Sequence, residues 1–304
     1  MRVLIVARCK HGRYAPFITE QVAALEKLGV ECQFFGVRQK GLWGYLKQYP
    51  ELRRTIKSFR PDIVHAHYGL CGVFANLQRK VPVVTTYHGS DINEPNVLRL
   101  SRVAIRMSRF NIFVSKDNVN TAQPKKSFMV IPCGINLEDY PVVDRLEARK
   151  AMGLNAEGKY VLFAGAFNNQ VKNAPLAKEA ISLLPGVELL ELKGYSRHQV
   201  ALLMQAVDAF LMTSHTEGSP QVIKEALACG CPIVSVDVGD VKERIAGIDG
   251  CHIVDKDASS VAESLDKALR FSGRTTGRDA IIRFGLTNGQ TIKSVIEVYY
   301  TVSQ

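Results

Sequence analysis

The sequence of 304 residues contains no long hydrophobic run. No apolar stretch approaches the roughly 20 residues that a helix needs to cross a bilayer. The apolar run at residues 3–7 is too short, and too soon followed by charge, to be a secretory signal peptide. Low-complexity tracts and short-period repeats are also absent. These absences argue against an integral membrane protein or a repeat protein and favour a globular protein of the cytoplasm.

Cysteine is present, but not in a pattern that binds metal or forms a disulfide framework. The seven cysteines are scattered and odd in number. Cys229 and Cys231 have one residue between them, and no second pair or nearby histidine completes a zinc site. His65 and His67, on one face of a predicted strand, also lack a third ligand. The sequence therefore predicts small buried thiols in a reducing compartment, and no bound metal.

Negative charge is scarce in the first half of the chain. Residues 1–145 contain 22 Lys and Arg against 11 Asp and Glu, whereas residues 146–304 contain 17 against 18. The whole net charge of +10 thus comes from the first half. Such asymmetry indicates an anionic partner for that half. Nucleic acid is not expected, because no recognised nucleic-acid motif is present.

Short apolar runs alternate with segments of helical periodicity along the whole chain, which predicts parallel α/β architecture. Residues 16–28 predict an amphipathic helix that ends before Gly29. The segment at 139–145 predicts a linker, after which the alternation starts again. The predicted strands are 2–7, 30–36, 62–66, 82–87, 111–115 and 128–131, then 160–164, 187–191, 208–213, 232–236 and 251–254.

Two successive doubly wound parallel sheets are the simplest interpretation, and loops that face each other across them would form a central cleft. We place an acceptor-binding domain at 1–142 and a nucleotide-sugar-binding domain at 143–285. Residues 286–304 carry an apolar face at helical spacing, and we expect a final helix that packs back toward the first domain.

The most informative segment is 213–230, which leaves a strand through a glycine turn and enters a helix. Ser219 is predicted to cap this helix, with Pro220 at its first position. The amides of Gln221 and Val222 would then form an anion site suited to a diphosphate, with Gly218 in the turn before them.

Two glutamates flank this predicted anion site. Glu217 lies in the loop before the helix and Glu225 within it. Their spacing alone is weak, since a chain this rich in glutamate contains such pairs by chance. Carboxylates beside a phosphate site suit the hydroxyls of a ribose or a hexose, although two solvated surface glutamates are the simpler alternative.

These residues resemble glycosyltransferase family 4, a retaining family with the GT-B fold of two Rossmann-like domains. Glu217 and Glu225 match its E-x7-E signature, and the Ala-Cys-Gly-Cys-Pro-Ile-Val run follows. The loop Gly194-Tyr195-Ser196 matches the family's loop around the nucleotide base. The resemblance implies that Glu225 binds the ribose hydroxyls and that Glu217 lies by the donor sugar.

One departure from the family affects the phosphate end of the site. The family places an arginine shortly after the first strand of the second domain, and Ala166 stands there in this chain, just after Gly165. Lys172 is retained, and the resemblance implies that it faces the donor diphosphate. Asn168 or Asn169 would add neutral hydrogen bonds, which are about half as strong as charge-assisted ones.

Two segments of the first half also match the family. Gly12 lies in a loop that approaches the donor phosphates and borders the acceptor in the family, although an ordinary loop glycine explains it equally well. His88, in the stretch His88-Gly89-Ser90-Asp91, matches the family's histidine that contacts the donor sugar. A structural histidine at a strand end is the alternative.

The basic excess concentrates in two segments. One basic segment is residues 47–60. The other predicts one helix face that carries Arg99, Arg102, Arg106 and Arg109. A solvated charged surface is the default explanation for each segment. The presence of both segments in the acceptor-binding half favours docking of that half on an anionic membrane surface.

The sequence thus predicts a metal-independent retaining hexosyltransferase with Glu217, Lys172 and His88 as catalytic residues. The donor would be a nucleoside diphosphate sugar, UDP- rather than GDP-linked, with no other cofactor. The acceptor would be a glycan or lipid-linked hydroxyl in surface polysaccharide synthesis, at the inner face of the membrane. The alternatives are an inverting transferase, a sugar-nucleotide epimerase, and a non-catalytic nucleotide-binding partner, which Ala166 favours.

Overall fold

The structure is a computed structural model that describes residues 1–39, 41–125 and 127–304. The chain divides into two compact units. Unit 1 comprises residues 1–134 together with 288–304, and unit 2 comprises residues 135–287. Each unit contains its own parallel sheet with helices around it, so the predicted α/β fold with two doubly wound domains is confirmed.

Within the described residues, eleven strands form the two sheets, and all eleven coincide with predicted strands. In unit 1 the strand order is β2-β1-β3-β4-β5-β6, and in unit 2 it is β11-β10-β9-β7-β8. Every described strand pairing is parallel. The strands are β1 Arg2–Arg8, β2 Glu31–Val37, β3 Ile63–His67, β4 Val83–Tyr87, β5 Phe110–Phe113, β6 Phe128–Val130, β7 Lys159–Phe163, β8 Val187–Glu191, β9 Ala209–Met212, β10 Ile233–Val236 and β11 Cys251–Val254.

Helices connect these strands, and short 3-10 turns occur at Leu137–Asp139 and Gln170–Lys172. The α-helices are α1 Pro16–Lys27, α2 Gly41–Lys47, α3 Tyr49–Phe59, α4 Gly69–Asn76, α5 Ser90–Asn93, α6 Pro95–Met107, α7 Lys116–Ala122, α8 Arg145–Met152, α9 Ala174–Ser182, α10 Arg197–Ala206, α11 Gln221–Ala228, α12 Val241–Ile245, α13 Ala258–Leu269, α14 Gly277–Arg283 and α15 Asn288–Ser303.

The central strands are apolar because helices cover both faces of each sheet. Residues 3–7 of β1 and residues 161–163 of β7 are fully buried. Strands buried on both faces read as continuous hydrophobic runs rather than as alternating ones. This is why the central strands could be located in the sequence with little error.

The last helix belongs to unit 1. Ile292, Val295 and Tyr299 of α15 are buried in the same cluster as Ile18 and Val22 of α1. The division between the units falls at Gly134, not at residue 142 where the sequence placed it. The reason is that the segment after Gly134 packs into the core of unit 2 through its apolar side chains, Ile135 and Tyr140.

Two properties of the described residues bear on environment. No helix in the described part of the chain is long and apolar enough to cross a membrane. The seven cysteines all lie in the described residues, and none of them forms a disulfide. Cys71, Cys229 and Cys231 are buried as expected, but the other four are only half-buried, so the prediction of uniformly buried thiols was wrong.

Candidate active site

The loops predicted to bind the donor meet at the switch point of the unit 2 sheet. In this sheet β7 lies between β8 and β9. The chain runs from β7 to β8 on one side and then crosses to β9 on the other side, so the strand order reverses at β7. Ligands of open parallel sheets bind at the carboxyl ends of the strands at such a point. The loops that follow β7 and β9 carry Lys172 and Glu217.

Lys172 and Glu217 form an ion pair at this switch point. Lys172 Nζ donates to Glu217 Oε1 at 2.7 Å, and the two side chains are 18% and 16% exposed. The backbone ties the two loops together, because His215 N donates to Val171 O at 2.9 Å. The Thr213 hydroxyl donates to the carbonyl of Lys172 at 3.0 Å. The lysine and the glutamate are therefore held in place from two strands at once.

Gly165 makes room for the lysine. A Cβ added at Gly165 would lie 3.0 Å from Lys172 Cγ and 3.3 Å from Lys172 Cε. These distances are shorter than ordinary Cβ contacts, so any larger residue at this position would require the lysine chain to shift. The glycine that the sequence assigned to the donor site thus acts, in this structure, on the position of Lys172.

The two asparagines near Ala166, Asn168 and Asn169, have different environments. Asn168 is exposed, as a ligand-binding amide would be. The Asn169 side chain instead accepts from Val171 N at 3.1 Å and caps the 3-10 turn that carries Lys172. Phe167 N donates to Glu191 Oε1 at 2.6 Å, which fixes the backbone next to Ala166. The expectation of a phosphate contact therefore falls on Asn168, not on Asn169.

Two expectations for the start of α11 were wrong. The helix begins at Gln221, and Pro220 is its N-cap residue, not its first helical residue. Ser219 does not cap the helix, because its hydroxyl donates to Asp240 Oδ2 at 2.8 Å. A carboxylate is the stronger acceptor, and it lies in the loop after β10, which the local sequence around Ser219 could not reveal.

The loops after β9 and β10 are also in backbone contact. Gly239 has φ +55°, and a Cβ there would lie 2.4 Å from the carbonyl oxygen of Gly218. Only glycine fits this close approach at a left-handed φ. The contact fixes Gly218 immediately before α11.

The first two turns of α11 carry the remaining predicted phosphate and ribose groups. Gln221 and Val222 are its first two residues, and Glu225 is half-buried one turn later. A buried lysine, Lys224, lies between them; it is fully buried, and its Nζ donates to Gln221 Oε1 at 2.7 Å. A buried lysine thus lies within the first two turns of the helix that the sequence predicts to bind the diphosphate.

The loop predicted to hold the nucleotide base precedes α10. Gly194 has φ +81°, a left-handed conformation that favours glycine. Tyr195 follows it and is 39% exposed, so its ring is available for stacking. Ser196 and Gln199 form a capping box that fixes the start of α10.

In unit 1, a chain of buried rings runs behind His88. His67 Nδ1 and His88 Nε2 are 3.0 Å apart. His88 Nδ1 lies 3.7 Å from Cys133 Sγ. Burial lowers the pKa of His67 well below its ordinary value, so the ring is neutral. The His67 Nε2 atom is buried without a hydrogen-bond partner.

The other histidine of β3 has a structural environment. His65 Nδ1 lies 2.6 Å from Tyr299 Oη and its Nε2 lies 2.7 Å from Thr86 Oγ1. Burial lowers the pKa of His65 to about 3. Both ring nitrogens are therefore used within unit 1. No group of three or more metal-ligating side chains occurs in the described residues.

Asp91, the last residue of the His-Gly-Ser-Asp stretch, organises the loops around His88. Its carboxylate accepts from the backbone N–H groups of His88 at 2.9 Å, Gly89 at 3.1 Å and Gly69 at 2.9 Å. Burial raises the pKa of Asp91 to about 6, against the lowering effect of these bonds. The carboxylate therefore connects the loop after β4 with the start of α4.

The predicted basic helix face is smaller than expected. Arg99, Arg102 and Arg106 are exposed on α6. Arg109 lies beyond the end of the helix, because Ser108 adopts an extended conformation at the C-cap. The prediction that Arg109 shares this face was wrong, since helical spacing says nothing about where a helix ends.

Sequence reasoning missed Lys224 and Asp91 as contributors to these sites. A lysine one residue before a signature glutamate reads as surface charge, and only its complete burial distinguishes it. The position of Asp91 three residues after His88 was visible, but its bond to the distant Gly69 was not.

Two family matches agree with this geometry. Residues 13–139 match the family described as Glycosyltransferase Family 4, and residues 162–270 match the family described as Glycosyl transferases group 1. Together the matches cover more than three quarters of the chain. The chain belongs to the family 4, group 1 glycosyltransferases. The resemblance on which the sequence analysis relied is therefore confirmed.

Curated relatives match about two thirds to three quarters of this chain. It is 27% identical over 268 residues to D-inositol 3-phosphate glycosyltransferase of Mycobacterium marinum, a match that covers 71% of this chain and 57% of the relative. It is 26% identical over 238 residues to TuaC of Bacillus subtilis, named for teichuronic acid biosynthesis, covering 68% of this chain and 61% of that protein. The chain thus spans about three fifths of the length of these relatives.

Solved structures show the same fold over nearly the whole chain. Sucrose-phosphate synthase of Thermosynechococcus elongatus has a TM-score of 0.83 at 14% identity, with 99% of this chain and 98% of that chain covered. Anabaena HepE in complex with UDP and glucose has a TM-score of 0.75 at 16% identity, with 99% and 100% covered. At these identities the likeness shows the GT-B fold alone.

Proposed function

We propose that this glycosyltransferase transfers a hexose from a UDP-sugar to a hydroxyl acceptor, with retention of configuration at the anomeric carbon. The observation that carries the proposal is the Lys172–Glu217 ion pair at the switch point of unit 2. The UDP and glucose in the HepE structure support a UDP-linked donor. The teichuronic acid role in the name of TuaC supports an acceptor in surface polysaccharide synthesis, either a glycan or a lipid-linked intermediate.

Charge on the departing diphosphate is the main problem that the site has to solve. As the sugar–phosphate bond breaks, the sugar becomes oxocarbenium-like and negative charge collects on the phosphate. Lys172 would leave Glu217 and stabilise that charge, together with the amides at the start of α11. Lys224, whose Nζ donates to Gln221 Oε1, would add positive charge at the start of α11 and so take over part of the role of the arginine that Ala166 replaces.

The remaining donor contacts follow from chemistry. Glu225 would accept hydrogen bonds from the ribose hydroxyls, and Tyr195 would stack on the base. Glu217, once its lysine turns to phosphate, would accept from a hydroxyl of the donor sugar. His88 of unit 1 is the further residue that we propose for contact with the sugar. The leaving phosphate would accept the proton of the acceptor hydroxyl, so the reaction needs no metal and no protein nucleophile.

The experiment incubates the purified protein with UDP- and GDP-hexoses and measures released nucleotide. The expected result is nucleotide release from a UDP-hexose that falls by roughly 100- to 1,000-fold in Lys172→Met. The matched control is Lys267→Met, because Lys267 pairs with Glu263 at the same 2.7 Å but on an exposed helix surface. Nucleotide binding without release from any donor would favour a non-catalytic partner protein. A product of inverted anomeric configuration, or an epimerised donor sugar, would contradict retaining transfer.

We also propose that unit 1 docks on an anionic membrane surface through α6. Its exposed Arg99, Arg102 and Arg106 lie beside Leu100 and Val103, which are 45% and 39% exposed. Arginine side chains near an anionic surface contribute about 1 kcal/mol each, and the apolar pair would enter the interface.

Vesicle sedimentation tests this docking. Binding to vesicles with anionic lipid, but not to neutral vesicles, is expected, and the triple Arg→Gln variant of α6 should lose it. A control variant with Lys242, Lys267 and Arg270 changed to Gln has the same charge change on exposed positions of unit 2. An equal loss of vesicle binding in both triple variants would show that only the net charge of the protein matters, and it would contradict a docking site on α6.

A further inference from the structure

The donor turn, residues 217–219, is connected by side chains to two other loops of unit 2. The Lys172–Glu217 ion pair connects it to the loop after β7. The hydroxyl of Ser219 donates to Asp240 Oδ2 at 2.8 Å and connects the same turn to the loop after β10. The first connection uses two residues that the proposed reaction brings to the donor. The second uses neither of them, so it can persist when the donor is bound.

Asp240 does not cap the helix that follows it. It is the N-cap residue of α12, a position at which an aspartate usually accepts from the N–H groups of its own helix. Its side chain makes no such bond. The Oδ2 atom accepts instead from the Ser219 hydroxyl and from Arg244 Nε, both at 2.8 Å. The carboxylate thus joins the donor turn to α12.

The carboxylate of Asp240 is buried together with its counterion. The side chains of Asp240 and Arg244 are 4% and 14% exposed. Asp240 Oδ1 is buried without a hydrogen-bond partner. A buried ion pair contributes little to stability compared with apolar side chains of similar volume, and an unpaired buried acceptor lowers stability. What this pair does provide is a fixed position for the acceptor of the Ser219 hydroxyl.

The backbone next to Asp240 also contacts the donor turn. A Cβ at Gly239 would lie 2.4 Å from the carbonyl oxygen of Gly218 and 3.2 Å from that of Glu217. The loop after β10 therefore packs against the backbone of the donor turn itself. Since the Asp240–Ser219 bond lies beside this contact, the two together fix the backbone from which the Glu217 side chain extends.

We propose that Asp240 is a positioning residue for sugar transfer, which acts through Ser219 to hold Glu217 at the donor sugar. The proposal rests on the proposed function, in which Lys172 leaves Glu217 for the diphosphate when the donor binds. That departure removes the side-chain connection to the loop after β7, whereas the Ser219–Asp240 bond uses no group that the donor recruits. A misplacement of about 1 Å at an active site can lower turnover by roughly 100-fold, so the chemical step depends on this support.

Steady-state kinetics with a UDP-hexose and calorimetry with UDP test this role. Ser219→Ala should lower kcat roughly 10- to 100-fold, because Glu217 is no longer held at the sugar. UDP affinity should change by less than about twofold, since the proposed contacts to ribose and base come from Glu225 and Tyr195, outside the donor turn. Ser219→Thr keeps the hydroxyl and should keep most of the turnover. Ser182→Ala is the control, because the Ser182 hydroxyl makes a bond of similar length, 2.7 Å, on exposed α9.

A double-variant cycle tests whether Asp240 acts through Ser219. Asp240→Ala should lower kcat as Ser219→Ala does. The double variant should be no slower than Asp240→Ala alone, because both changes remove the same bond. Asp266→Ala is the control and should leave kcat unchanged. Asp266 pairs with Arg270 at the same helical spacing and the same 2.8 Å as Asp240 with Arg244, but on an exposed surface.

The remaining outcomes overturn the proposal in distinguishable ways. An unchanged kcat in Ser219→Ala, or an equal loss of kcat and UDP affinity, would show that the bond does not position Glu217 for the chemical step. Additive losses in the double variant would show that Asp240 acts by another route, such as Arg244. Failure of the parent protein to release nucleotide from any donor contradicts the proposed activity, and the positioning role then falls with it. A parent protein that turns over no faster than Ser219→Ala contradicts the positioning role alone.

Discussion

Lys172 Nζ lies 2.7 Å from Glu217 Oε1, although the two residues belong to loops that follow different strands. Without a ligand, the glutamate neutralises the lysine that the site needs for a diphosphate. A bound donor would offer the lysine a more highly charged partner and leave the glutamate for a sugar hydroxyl. In the proposed complex the pair would separate, with Lys172 at the diphosphate and Glu217 at the sugar, so the two residues would contact the two ends of the donor.

The first prediction concerns this lysine. Lys172→Met should lower turnover at saturating donor by roughly 100- to 1,000-fold, the usual effect of removing one group that stabilises developing charge. Steady-state kinetics with a UDP-hexose measures it, and Lys267→Met should leave turnover unchanged. A variant that changes only the KM for the donor would show that Lys172 binds substrate but does not stabilise the transition state.

The second prediction concerns the ribose contact. Glu225→Ala should weaken UDP binding by roughly 1.5–3 kcal/mol, because a charged hydrogen-bond acceptor is lost. Calorimetry with UDP measures the change. Glu188→Ala, at an exposed position of β8, is the control and should bind UDP like the parent protein. Unchanged affinity in Glu225→Ala would remove this residue from the donor site.

The third prediction concerns stability and binding at Lys224. Lys224→Met removes a buried donor and leaves its acceptor, Gln221 Oε1, without that bond, so the melting temperature should fall. UDP affinity of the folded variant should also fall, roughly threefold to tenfold, if Lys224 contributes positive charge near the start of α11. Thermal unfolding and calorimetry on the same sample provide both values. Lys150→Met, at an exposed position on α8, is the control, and an unchanged UDP affinity in Lys224→Met would contradict the electrostatic role.

The strands could be located from the sequence because each is a short run of apolar residues between helical segments. A strand that is buried on both faces is apolar at every position, so neighbouring residues alone are enough to recognise it. Residues 3–7, which are all fully buried, are an example. The donor loops followed, since a parallel sheet binds ligands where its strands end. The family resemblance then supplied the roles expected of Glu217, beside the donor sugar, and of Glu225, at the ribose. The spacing of the two residues alone could not have supplied them.

What the sequence could not provide are the contacts between distant loops. Ser219 reads as a helix cap, but its hydroxyl bonds to Asp240, which lies 21 residues later. Lys10 and Arg13 read as scattered charge until the turn between them places them opposite each other. The burial of Lys224 is likewise a property of the packed unit and not of its neighbours in the chain.

The fourth prediction is a pH dependence of stability that originates at His65. Burial lowers its pKa in the folded chain to about 3, below the value of about 6.5 that is usual for histidine. The unfolded chain therefore binds the proton first as pH falls, so the contribution of His65 is complete above pH 6.5 and is lost toward pH 3. It amounts to at most roughly 5 kcal/mol.

Urea unfolding at several pH values between 4 and 8 measures this slope. His65→Gln should be less stable at pH 8, because Tyr299 and Thr86 lose part of their hydrogen bonding, but it should lose less stability on acidification. Asp91, with its raised pKa, adds an opposite slope in both proteins and cancels in the comparison. His198→Gln, at an exposed position, is the control. Parallel pH profiles for the parent and His65→Gln would contradict the assignment.

The fifth prediction concerns which nitrogen of His88 carries its proton. His67 is buried and neutral, and its Nε2 has no hydrogen-bond partner. An unpaired buried N–H is the rarer and costlier arrangement, so the proton of His67 should be on Nδ1. His67 then donates to His88 Nε2, and neutral His88 must carry its own proton on Nδ1. That nitrogen lies 3.7 Å from Cys133 Sγ, so its N–H is directed at the thiol and fixes the orientation of the His88 ring.

Long-range proton–nitrogen spectra of the ¹⁵N-histidine-labelled protein distinguish the two forms directly. The parent protein should show His88 protonated on Nδ1 alone. His67→Asn, whose amide donates from nearly the same position, should retain this form, whereas His67→Leu should give a mixture and a higher KM for the donor with a smaller change in kcat. A His88 proton on Nε2 in the parent protein would reverse the direction of the bond. In that case His67 would be the acceptor, and His88 Nδ1 would accept from the Cys133 thiol.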